Sequence, residues 1–197
     1  FMSDILLLDL VRAAHLLCFA LGMGPAIYFD LRTVQRIAQP FYPIDVEELH
    51  RIHRVVSLAC CGLWVTGLAL IYLQTAFDVA AFSPKLWCKL IVVTALTVNA
   101  LCLNAFVIPA LGRNAGDRLV DMPLRLLLPM TFSAGLSLAC WILSLALGSS
   151  KVLKVADWDV LLPVLGGGTA SCIGGVLIVM FTAREVVRRH YPAEIEY

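Results

Sequence analysis

The sequence predicts an all-α integral membrane protein: a single domain over 1–197, folded as a bundle of five transmembrane helices. Three observations carry this. The chain is 60% hydrophobic and 15% charged, whereas a soluble domain is about 45–50% apolar and about 25% charged. Its apolar residues gather in five runs, each near the roughly 20 residues that cross a hydrocarbon core. Between the runs stand prolines, glycines and charged residues, and no stretch alternates as a strand does.

Helix 1 is expected over about 5–29, with the core LLLDLVRAAHLLCFALGMGPAIYF. It carries Asp9, Arg12 and His15, then a Gly22-Met23-Gly24-Pro25 break. Proline removes an i to i−4 bond, so Pro25 is expected to loosen the helix. A basic leader and an A-x-A site are missing here, so the run reads as a retained helix rather than a cleaved signal. Pro40 and Pro43 break the polar connection that follows. Asp45 with Glu48 three residues on reads as a capping box leading into helix 2, about 51–75.

Helix 3 is expected over about 84–108. Pro84 suits a first helical position, and Pro109 and Gly112 close the run. A second polar connection, GRNAGDRLVD, leads to helix 4, about 123–147, which Gly148 ends. Helix 5 spans about 157–182, followed by the charged tail AREVVRRHYPAEIEY.

Five spans put the termini on opposite sides. The N-terminal side holds Lys85, Lys89, Lys151, Lys154 and Arg12. The other side holds Arg32, Arg36, Arg51, Arg54, Arg113, Arg118, Arg125, Arg184, Arg188 and Arg189. By the positive-inside rule the arginine-rich side is cytoplasmic and the N-terminus lies outside. This places the chain in a bacterial cytoplasmic (inner) membrane. A net charge of +1, with the basic residues spread over helix ends, gives no footprint for nucleic acid. The seven cysteines fall in apolar segments without a CxxC pair and read as small buried hydrophobes.

His15 is the leading candidate for chemistry. It sits about ten residues into helix 1, roughly 15 Å below that helix's outer end. Arg12 shares its face one turn above, and Cys18 and Gly22 continue that face downward. Ionisable groups inside a membrane helix are costly and mark functional sites by default. Small neighbours would leave room for a flat ligand. A neutral imidazole is a common haem ligand, and a cation one turn away can meet a propionate. Lys89, near the outer end of helix 3, reaches the same depth with its flexible stem. His53, with His50 one turn before it, is a further candidate for cofactor binding, but lies near the arginine-rich side. His15 and His53 together would therefore hold different cofactors rather than one. Asn99 and Asn104 are expected to bond between helices.

A P-loop, a GxSxG elbow, a strand-borne GxGxxG and an HExxH are all missing from the sequence. The glycine run at 166–168 opens a small-xxx-small pattern, Gly167-Ser171-Gly175, that suits close packing of helix 5, within the chain or against a membrane partner or second copy.

The order of these features resembles the HemJ-type protoporphyrinogen oxidase and copper-resistance-D-like group of small membrane proteins. The matching pieces are AAHLLCFALG with His15 and Gly22, the cationic entry HRIHR, and KLIVV beginning at Lys89, over about residues 8–108. The fifth helix and the long first connection depart from that group's four-helix form. The resemblance implies haem b near His15, with His15 as metal ligand and Lys89 in the catalytic site. It also implies oxidation of a porphyrinogen, or electron transfer to a quinone. The reading from another class is a non-catalytic anchor or accessory subunit of a larger membrane complex.

Overall fold

The computed structural model describes residues 2–190; the end of the charged tail lies outside them. The described chain is all-α, and no strand occurs among these residues. Five helices are long and apolar enough to cross a membrane: α1 Met2–Gln35, α2 Pro43–Thr75, α3 Pro84–Arg113, α4 Leu124–Ser149 and α5 Trp158–His190. Their outward faces are apolar, with Leu16, Leu58, Val65, Leu101 and Ile178 all exposed. That is how a protein solvated by hydrocarbon presents itself, since backbone groups are satisfied within each helix.

Several helices run further than the hydropathy predicts. α1 has Pro25 inside it, as expected, and continues to Gln35 rather than ending near Phe29. α2 begins at Pro43 and runs unbroken from the 45–48 entry through the 51–75 span. Proline at the first position loses only an N–H that has no helical partner there. Asp45 is not the cap expected of it: it stands at the third position and accepts from the Tyr42 N–H at 2.9 Å. Its supposed partner Glu48 pairs with Arg32 instead. α5 continues to His190, its last turns carrying an Arg189–Glu185 pair at 2.7 Å.

α3 starts as expected, with Ser83 Oγ accepting from the Leu86 N–H at 3.3 Å ahead of Pro84. It does not stop at Pro109. A π-turn over Leu103–Val107 precedes the proline, and the helix resumes over Ile108–Arg113. Proline has no N–H for the carbonyl four residues back, and the wider turn takes up that break without ending the helix.

α1 and α2 pack antiparallel as one pair. α3, α4 and α5 form a second group, with α4 central. One core lies between the two groups, around Val56, Leu63, Val92, Trp141 and Leu161. A second core lies at the arginine-rich end, around Phe41, Ile108, Val120 and Met122. There the two polar connections pair: Phe41 N–H donates to Asp117 O at 2.9 Å and Gly116 N–H to Phe41 O at 2.7 Å. Gly116 has φ +105°, a backbone state that glycine adopts without steric cost.

Candidate functional site

The motif of α1 turns out to be a seam. His15, Cys18 and Gly22 all face α2, opposite Thr66, Gly62 and Ala59 in turn. A methyl group at Gly62 would stand 2.5 Å from Cys18 Sγ. One at Gly22 would overlap the Trp141 ring. The small residues therefore bring helices together, and the space the sequence suggested beside His15 is filled by α2 and Trp141 along Cys18 and Gly22.

His15 itself is half-buried. Its Nδ1 lies 2.8 Å from Thr66 Oγ1. The single hydroxyl proton of Thr66 goes back to the Gly62 carbonyl, 2.6 Å away, so the oxygen can only accept from the ring. In the neutral imidazole this puts the proton on Nδ1 and leaves the lone pair on Nε2. Gly67 lies under the ring: a Cβ there would stand 3.5 Å from His15 Cε1. A hydrogen bond at one nitrogen that fixes the other as a ligand is the usual support of a metal-binding histidine.

Lys89 is half-buried on α3. It makes no ion pair or hydrogen bond with the described residues. Arg12 is placed differently: it pairs with Asp9 at 3.4 Å on the exposed side of α1. His53 lies thirteen residues from Thr66 along α2, about 20 Å in depth. Its Nε2 is 3.4 Å from Ser57 Oγ, and His50 Nδ1 is 3.0 Å from the Val46 carbonyl. Among the described residues no group of three or more His, Cys, Asp or Glu side chains converges on a metal position.

His15 Nε2 is one nitrogen of the kind a haem iron takes as a ligand, and the described residues bring no other His, Cys, Asp or Glu cluster to it. A second protein ligand from His53 does not fit, given the depth between them. No family model, no curated protein and no solved structure matches this chain.

Other polar residues have structural work. Asn99 and Ser133 form a buried reciprocal pair between α3 and α4: Asn99 Nδ2 donates to the Ser133 carbonyl at 3.0 Å and Ser133 Oγ donates to Asn99 Oδ1 at 2.8 Å. Asn104, by contrast, is exposed on the π-turn. Trp64 Nε1 donates to Thr97 at 3.0 Å, joining α2 to α3. Trp141 is 1% exposed with Nε1 unpartnered, and it meets Phe19 edge-on at 5.5 Å. Cys60, Cys88 and Cys140 are buried as expected, whereas Cys61 and Cys102 face outward.

Sequence reading missed two features. One is an ion-pair lattice joining α1 to α2: Arg36 Nη1 is 2.5 Å from Asp45 Oδ1, and Arg32 lies 3.8 Å from the same oxygen. The alternating charges over residues 32–48 were its signal. The other is an open apolar groove of 1260 Å³ along α3, α4 and α5, lined by Ile91, Val98, Phe106, Phe132 and Leu177 with Asn99 in its wall. It runs beside the π-turn of α3 and Pro129 of α4, two irregularities that no periodicity announces.

Proposed function

We propose that the chain is a haem-b-binding membrane redox protein, with His15 Nε2 as one axial ligand of the iron. The observation that carries this is the Thr66–His15 hydrogen bond, which holds the ring in the tautomer whose outer nitrogen is free. Thr66 orients the ring, and Lys89 offers a cation for a propionate or for a charged substrate. Haem would supply one-electron chemistry, while the protein sets its potential through ligand and burial. Oxidation of a porphyrinogen and electron transfer to a quinone are the two reactions in keeping with such a site. The arginine-rich side would face the cytoplasm of a bacterium, with the N-terminus outside.

The test is the visible spectrum of the protein purified in detergent after haem-supplemented expression, oxidised and then reduced with dithionite. A Soret band that is lost in His15→Ala and kept in His53→Ala supports the reading. A colourless wild-type protein overturns it.

One observation favours the other reading, an anchor or accessory subunit. Gly167, Ser171 and Gly175 are exposed on α5, and a Cβ at either glycine would meet nothing within 4 Å. Small residues spaced by four on an outward membrane face let a second helix approach closely. Gly167→Leu and Gly175→Leu should then weaken recovery of a stoichiometric partner, and recovery of the chain alone would count against a subunit role.

A further inference from the structure

Beyond the groove on the α3–α4–α5 face, the same helix faces of α4 and α5 carry arginines toward the arginine-rich end. Leu177 lines the groove, and Arg184 and Arg188 follow on the same face of α5, two and three turns on. Arg184 donates through one terminal nitrogen to the Met122 carbonyl at 3.2 Å, and its other terminal nitrogen is buried without a partner. Arg188 Nε lies 3.8 Å from Asp121 Oδ1, and Arg118 Nε bonds the other oxygen of that carboxylate at 2.5 Å. Two arginines thus share one carboxylate, and a third stands beside them with a donor unspent.

The pattern repeats on α4. Leu128, Pro129 and Phe132 line the groove, and Arg125 precedes them on the same face. Arg125 is exposed and bonds to none of the described residues. It sits in the first turn of a helix whose end has no side-chain cap and no acidic residue. Free N–H groups and the positive end of the helix dipole already gather there, so a cation is the less favoured choice. An anion bound at that end would satisfy the dipole and the arginines together.

We propose that this face holds an anionic phospholipid. Its phosphate lies between Arg125 and Arg188, with Arg184 behind them adding positive charge, and its acyl chains run along the adjoining half of the groove. On α3 the groove lining runs from Trp87 to Val107, about 30 Å at 1.5 Å per residue, and on α4 from Leu128 to Leu136, about 12 Å. The α4 wall, at the arginine-rich end, matches one leaflet of the roughly 30 Å hydrocarbon thickness. A free phosphate would satisfy the arginines and leave the apolar half without a role; a phospholipid fills both. This inference stands apart from the haem reading.

The full-length chain in detergent is equilibrated with vesicles of phosphatidylglycerol or of phosphatidylcholine, and bound lipid is counted by native mass spectrometry. Phosphatidylglycerol should be retained over phosphatidylcholine. Arg125→Gln and Arg188→Gln should each lower its retention about fivefold, the contribution of one basic residue near an anionic surface. Arg125 is exposed, so its replacement leaves the fold intact. Arg189→Gln, which removes the exposed partner of Glu185, should change nothing. Equal retention of the two lipids, or unchanged retention in both arginine variants, overturns the proposal. So does displacement of the lipid by millimolar inorganic phosphate, which would make this a free-anion site.

Discussion

Replacing Thr66 with valine removes one oxygen and keeps the shape of the side chain, so it isolates the bond on which the His15 geometry depends. In the native protein His15 Nδ1–H donates to Thr66 Oγ1 at 2.8 Å, and the hydroxyl proton returns to Gly62 O at 2.6 Å. The second bond is a back-bond within α2, whose carbonyl already takes part in the helix. Its loss costs little. The first joins two helices, and its loss leaves a ring N–H facing a methyl group. Interhelical hydrogen bonds in membrane proteins average about 0.6 kcal/mol and reach about 1.7. The upper part of that range is expected here, because the ring is half-buried. The assay is reversible unfolding in mixed detergent micelles of the wild type, Thr66→Val, His15→Leu and the double variant. A coupling of about 1–1.7 kcal/mol between the two sites is the expected result. A coupling indistinguishable from zero would refute the bond, and with it the assignment of the lone pair to Nε2.

Other outcomes follow from the packing. At Gly135 a Cβ would stand 2.8 Å from Ile173 Cα, and backbone cannot step aside as a side chain can. Gly135→Ala should cost about 1–2 kcal/mol by unfolding, the overpacking loss less what alanine gains in a helix. Gly167→Ala meets open space, so in the isolated chain it should gain about 0.5–1 kcal/mol, and a loss would reveal a partner already seated there. Arg36→Ala takes the closest cation from the buried Asp45 carboxylate and should destabilise by about 1.5–3 kcal/mol in the same assay.

Much of the fold was legible, because membrane spans announce themselves by length and polarity. Pro84 marked the start of α3 correctly, and Asn99 bridges helices as expected. The helix ends are less legible where a proline reads as a stop. Pro43 opens α2 instead of breaking the connection before it, and Pro109 is absorbed by a π-turn, since neighbouring helices and local rewinding can accommodate a missing N–H in hydrocarbon. At the candidate site, the depth argument separates His15 from His53. It misassigned the small residues of α1. Cys18 and Gly22 looked like room for a ligand, but helix periodicity gives the face and not what lies against it. Thr66 was not singled out at all: a lone threonine in an apolar run carries no signal until the antiparallel register sets it opposite His15. Arg12 was placed by spacing alone, and Asp9 on the preceding turn claims it.

The most direct measurement is haem content per chain, by pyridine haemochrome assay, in wild type, His15→Gly, and His15→Gly purified with imidazole. Haem in the wild type, its loss on removing the side chain and its return with free imidazole would place the iron on the His15 ring. Equal haem in all three samples, or none in any, would contradict the account.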